Sequence, residues 1–108
     1  MGLAEGADPR AVIGFDLTRL DASGLQGPPG GLRALDYELC IPDDPSRRDE
    51  VAAIDPSARF HPGSPGRSRC GEGQVPVIGN THQPGFQDIL HRLAGLPYVA
   101  RISETLYE

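Results

Sequence analysis

The sequence predicts an α+β fold, a ferredoxin-like α/β plait in which residues 33–108 run strand, helix, strand, strand, helix, strand. Three observations carry that prediction. Residues 35–41 alternate apolar and polar side chains, residues 86–94 hold one apolar stripe of helical period, and the stretch between them contains a proline-bounded helix and two short apolar runs. A chain of 108 residues has room for one core. We therefore expect a single plait domain at 33–108, preceded by an irregular, partly flexible N-terminal extension at 1–32.

Taken in order, residues 1–10 are small, polar and interrupted by proline, as at a mobile chain end. Residues 11–20 (AVIGFDLTRL) offer Val12, Ile13, Phe15, Leu17 and Leu20, enough for a strand or a short helix. Residues 21–31 hold Pro28, Pro29 and four glycines and read as a linker. Leu35, Tyr37, Leu39 and Ile41 then alternate with Asp36, Glu38 and Cys40, the period of a strand with one buried face. Pro42 ends it. Asp43 and Asp44 lead to Pro45, which suits the first position of a helix, and Ser46 with Asp49 also fits a capping box. Val51 and Ile54 share a face of that helix, which stops before Pro56.

Residues 58–61 and 75–79 are expected as the second and third strands, separated by a thirteen-residue, Gly-rich connection, 62–74 (PGSPGRSRCGEGQ). That is long for a hairpin. A polar turn at 80–83 precedes Pro84 and the main helix, whose Phe86, Ile89, Leu90, Leu93 and Ala94 form one stripe, with Gly95 and Pro97 as its stop. In residues 98–107, Ala100, Ile102 and Leu106 alternate with Arg101, Ser103 and Thr105, which predicts the last strand.

Composition narrows the function classes. Net charge is -5, with five Arg against eleven acids in residues 1–57 and five against four in residues 58–108, so nucleic acid is disfavoured as a partner. The sequence has no Lys, which excludes a lysine Schiff base and a P-loop lysine. No apolar run approaches the ~20 residues of a membrane span, and residues 1–10 lack a signal-peptide pattern; a cytoplasmic protein is expected. In a reducing compartment Cys40 and Cys70 are expected as free, reactive thiols, with a disulfide left open.

Four places could carry chemistry. Period two puts Asp36, Glu38 and Cys40 on the sheet face away from the helices, where they form a solvated row. Arg67 and Arg69, set among glycines, combine charge with approachable backbone N–H groups, as an anion site requires. Asn80, Thr81 and His82 converge at the start of the main helix, where an anion is stabilised; Thr81 or Gln83 equally serves as a cap. His61, His82, His91, Cys40 and Cys70 have no short zinc spacing, so no metal and no cofactor is expected.

These features favour a small non-catalytic plait that binds a small anionic ligand or a protein partner, as a homodimer and away from membranes. The anion site is expected at Arg67, Arg69, Asn80, Thr81 and His82. The alternative is a small enzyme whose site joins the Gly/Arg loop, Cys70 and His82; the sequence leaves open whether the chain is an enzyme.

Overall fold

A computed structural model describes residues 12–64, 66 and 69–105 of the chain. These residues form a mixed α+β structure with two α-helices and two antiparallel sheets. The elements are β1 (Leu25–Gln26), β2 (Arg33–Ala34), β3 (Asp36–Pro42), α1 (Pro45–Ile54), β4 (Arg59–Phe60), β5 (Gln74–Asn80), α2 (Phe86–Ala94) and β6 (Ile102–Glu104), with a 3-10 turn at Leu17–Arg19. β1 and β2 pair with each other. The larger sheet runs in the order β4-β5-β3-β6, every neighbour antiparallel.

Alternation along β3 sorts its side chains onto two faces. Tyr37, Leu39 and Ile41 stand opposite Gly79, Val77 and Val75 of β5, and Leu39 also meets Ile102 of β6. All of these are buried, and the larger ones join Val51 of α1 and Phe86, Ile89, Leu90 and Leu93 of α2 in one apolar cluster. Burial of each large aliphatic or aromatic side chain contributes about 1.5 to 3 kcal/mol. Gly79 is required here because the Tyr37 ring lies directly on it, so that a Cβ would collide with the phenol. On the other face Asp36, Glu38 and Cys40 stand opposite Asn80, Ile78 and Pro76.

Both helices begin and end for local reasons. The Asp44 carboxylate accepts hydrogen bonds from the Ser46 amide (2.8 Å) and hydroxyl (2.9 Å), with Pro45 in the first turn. Those two bonds hold its pKa below the ordinary carboxylate value. α1 ends at Asp55, whose N–H donates to Val51 O, one residue before Pro56. α2 begins later than its sequence suggests: Gly85, at φ +71°, is the N-cap, and no side chain caps the helix. Its apolar stripe is as expected, with Phe86, Ile89, Leu90, Leu93 and Ala94 all buried.

The core does not begin at residue 33. Val12, Ile13 and Leu20 are buried in the same cluster as the sheet and helices. Ile13 pairs in parallel with Ile102, and the Gly14 N–H donates to Ile102 O (2.7 Å), so this segment covers the outer edge of β6. The glycine-rich stretch after it is a hairpin rather than a linker. Asp21 starts it by accepting from the Ser23 and Leu25 amides. Buried Thr81 then ties it to the sheet: its hydroxyl donates to Gly24 O (2.6 Å) and accepts from the Leu35 N–H (2.9 Å). Gly24, at φ +77°, allows that approach, since a Cβ there would strike Thr81 O.

Candidate functional site

A buried polar network closes the end of the sheet where β5 finishes. The Tyr37 hydroxyl donates to Asp55 Oδ2 (2.6 Å), and the Ser57 amide and hydroxyl both donate to Asp55 Oδ1. Gln83 Nε2 lies 3.1 Å from Asp55 Oδ1, 3.0 Å from Ser57 Oγ and 2.9 Å from Asn80 O. Burial, then the adjacent Asp55 carboxylate, push the Tyr37 phenol well above its ordinary pKa. Asp55 is 1% exposed and is satisfied by these donors without a cation. The network therefore fastens α1, β3, β5 and the 81–85 turn together. Gln83 and Thr81, expected as caps, are structural ties instead.

The opposite sheet face departs most from expectation. Asp36, Glu38 and Cys40 do share it, but Glu38 is only 2% exposed. The cause is the connection between β4 and β5: its Ser64 and Gly66 lie against Glu38, and its Cys70 is joined to β3 by a disulfide with Cys40, Cα to Cα 5.5 Å. The thiols expected to be free and reactive are thus bonded to each other, and among the described residues no free cysteine is present. Gly66, at φ +68°, lies against Glu38 and Pro76, where a Cβ would meet Glu38 Oε2 and stand 2.9 Å from Pro76 Cβ. A small chamber of about 150 Å³ remains beneath, lined by Glu38, His61, Ser64, Pro76, Ile78 and Thr105.

Arg69, beside Cys70, holds φ +54°, the left-handed region, which costs a non-glycine residue roughly 1 kcal/mol. It is exposed, and Arg67 lies outside the described residues. Asn80 and His82 sit elsewhere. Asn80 Nδ2 donates to Asp36 Oδ1 (2.6 Å), Asn80 Oδ1 accepts from the His82 amide (2.8 Å), and His82 Nδ1 lies 2.9 Å from Ser23 O. Cys40 pairs with Pro76, four residues from Asn80 along β5, about 13 Å at the usual strand rise. His82 lies beyond Asn80. The structure therefore does not bring Cys70 and His82 together, nor Arg69 and the 80–82 turn.

A groove of about 980 Å³ opens between the β1–β2 hairpin and the same end of the large sheet. Arg19, Gln26 and Arg33 line its hairpin side, and Asp36, Asn80, Glu104 and Thr105 its sheet side. Neither Arg19 nor Arg33 makes an ion pair among the described residues. Thr105 is 7% exposed, and its Oγ1 is buried without a hydrogen-bond partner. It lines both the groove and the chamber beneath the 61–73 connection.

No sequence pattern singles out these residues. Arg19 and Arg33 lie in segments that read as irregular, and Thr105 reads as one more polar position of a strand. Among the described residues no cluster of His, Cys, Asp and Glu is placed to hold a metal, and no helix is long and apolar enough to cross a membrane. Comparison of the chain with models of known protein families, with curated proteins and with solved structures finds no match.

Proposed function

We propose that the chain is a ferredoxin-like plait that binds a small anionic ligand without transforming it, in the groove between the β1–β2 hairpin and the sheet. Strand order supports the plait. Counted from β3, the four strands of the large sheet lie in the order two, three, one, four, with the first and third paired at the centre, as two interleaved βαβ units require. Anion binding is supported by Arg19 and Arg33, whose guanidiniums have no ion pair among the described residues. Glu104 on the facing wall gives the ligand a second end to satisfy, through its own donors.

The observation that carries this reading is the Thr105 hydroxyl. A buried hydroxyl without a partner costs about 1 to 3 kcal/mol, and Thr105 is among the residues that line the groove. A ligand oxygen would satisfy it. The enzyme alternative loses its nucleophile, since Cys70 is disulfide-bonded and distant in the sheet register from His82. A homodimer is less well supported, because Leu32 is the large apolar side chain left exposed among the described residues.

Thermal-shift titration with inorganic phosphate and with citrate tests the groove. We expect a melting temperature that rises with concentration in the wild type and a much smaller rise in Arg33→Ala and Arg19→Ala. Equal shifts in wild type and Arg33→Ala, or no shift with either anion, would remove the reading. Native mass spectrometry of the same samples counts subunits and tests the homodimer separately.

A further inference from the structure

We propose that the cavity between the 3-10 turn at Leu17–Arg19 and helix α2 binds a small organic monoamine, with its apolar body against the core and its ammonium group on Asp16. The cavity measures about 440 Å³, and none of the described residues that line it also lines the groove beside the β1–β2 hairpin. Sites for small molecules span roughly 300 to 1,000 Å³, so this one suits a ligand of modest size. The site is independent of the anion groove proposed above.

The cavity is a gap between two elements that are fastened elsewhere. The segment leading into the turn is tied to β6, by the Ile13–Ile102 pairing and the Gly14 N–H to Ile102 O bond. The turn closes on its own backbone, with the Arg19 N–H donating to Asp16 O and the Leu20 N–H to Leu17 O. On α2, Gln87 and His91 stand one helical turn apart and line the facing wall. Among the described residues no hydrogen bond or ion pair joins residues 13–19 to α2. The floor is apolar. Ile13 is buried in the core cluster, and half-buried Phe15 and Leu17 pack against it, so an aryl or branched alkyl group placed there extends the core outward.

Charge decides the polar end of the ligand. Asp16 Oδ1 accepts from both the Thr18 hydroxyl (2.6 Å) and the Thr18 amide (2.9 Å), which leaves Oδ2 without a bond among the described residues. Those two bonds, the hydroxyl first, hold the carboxyl below its ordinary pKa, so it is charged at neutral pH. Arg19, the neighbouring cation, makes no ion pair with Asp16 and lines the groove instead. The chain's net charge of -5 adds to a field that favours a cation. Gln87 and His91 have no hydrogen-bond partner among the described residues and can satisfy a hydroxyl at the ligand's far end. Because Asp16 is exposed, its ion pair supplies selectivity and the apolar floor supplies most of the affinity.

Amide NMR spectra of the isotope-labelled full chain test the site. Phenethylamine should move the signals of residues 13–18 and 87–91 saturably, with a Kd on the order of 1 mM, and leave those of Arg33 and Glu104 in place. Methylamine, which lacks the apolar body, and hydrocinnamate, which carries the opposite charge, should each bind about fivefold more weakly or worse. Asp16→Asn preserves the cap of the turn, since asparagine caps as well as aspartate, and should weaken phenethylamine roughly two- to fivefold. Equal binding of phenethylamine and hydrocinnamate overturns the proposal, as does unchanged affinity in Asp16→Asn. So does the lack of a saturable response, or one confined to signals away from the cavity. Phosphate and citrate added to the same protein should move Arg33 and Glu104 instead, so the cavity and the groove fail separately.

Discussion

The two faces of the large sheet are both covered, but by different physics. On one, Tyr37, Leu39 and Ile41 meet two helices through an apolar cluster whose polar exceptions are all hydrogen-bonded. On the other, Glu38 and Cys40 lie against a glycine-rich connection that is bonded to β3 through Cys70 and hydrogen-bonded to the body at His61 and Gly73. Packing of the first kind is cooperative, since each side chain supports several others. Attachment of the second kind is local. The first face therefore draws its stability from many mutually supporting contacts, the second in good part from one covalent bond.

The largest expected effect comes from breaking the first face. Asp55→Ala would leave the Tyr37 hydroxyl, the Ser57 hydroxyl and Gln83 Nε2 short of their common acceptor. At about 1 to 3 kcal/mol for each buried group left unsatisfied, a loss of about 3 to 5 kcal/mol is expected in urea unfolding. A loss below about 1 kcal/mol would mean that the network is not what joins α1 to the sheet. Next in size is the Cys40→Ser/Cys70→Ser double variant. Loop entropy for a thirty-residue separation gives about 3 to 4 kcal/mol. Because the freed connection regains part of that entropy in the native state, we expect about 2 kcal/mol or less. A loss at or above the full loop-entropy value would place the bond among the elements that make the fold.

Much of the first face is legible in the sequence. Period two along β3 and the stripe of α2 name nearly every residue of the cluster, because burial on a regular element leaves a regular imprint. The Asp44–Pro45 start and Pro56 stop of α1 are legible for the same reason. Thr81 and Gln83 are not, since a polar residue beside a helix start looks like a cap whichever partner it finds. Cover on the second face leaves no periodic trace: period two sends Glu38 away from the helices correctly, yet says nothing of a loop returning thirty residues later. The two cysteines were the only hint of that return, and their spacing fits a bond as well as two free thiols. Val12, Ile13 and Leu20 were visible as apolar residues, but their place in the core depends on a parallel pairing with Ile102 that no local pattern encodes. The groove is harder still, because its lining comes from the turn after residue 17, the hairpin and the ends of three strands.

A smaller effect should appear at high pH, again on the helical side. The Tyr98 hydroxyl donates to Glu50 on α1 (2.7 Å), and burial, the hydrogen bond and the Glu50 charge push its pKa up to about 12, with Arg47 acting in the other direction. A raised pKa favours the protonated folded state. The contribution is therefore complete below the ordinary tyrosine value of 10.0 and is lost as pH rises from there through about 12. Buried Tyr37 shifts in the same direction, so melting temperature should fall across that window. In Tyr98→Phe the fall should be shallower. An unchanged slope would remove the Tyr98–Glu50 contact from the account of how α1 is held.

The smallest effect separates the two faces most sharply, because it should have opposite signs in stability and in binding. Thr105 is the buried polar side chain without a hydrogen-bond partner among the described residues, and it sits where the groove meets the covered face. Thr105→Val keeps the shape and removes the hydroxyl. If the hydroxyl is unsatisfied, the variant should be neutral or more stable by up to about 1 kcal/mol. If a ligand oxygen satisfies that hydroxyl, the same variant should bind citrate or phosphate more weakly, by roughly 2- to 10-fold for one hydrogen bond. A residue that packs the fold loses stability when altered, whereas one held unsatisfied for a ligand gains stability and loses affinity. Destabilisation by Thr105→Val together with unchanged anion binding would assign Thr105 to the fold and leave the groove without the observation that marks it as a site.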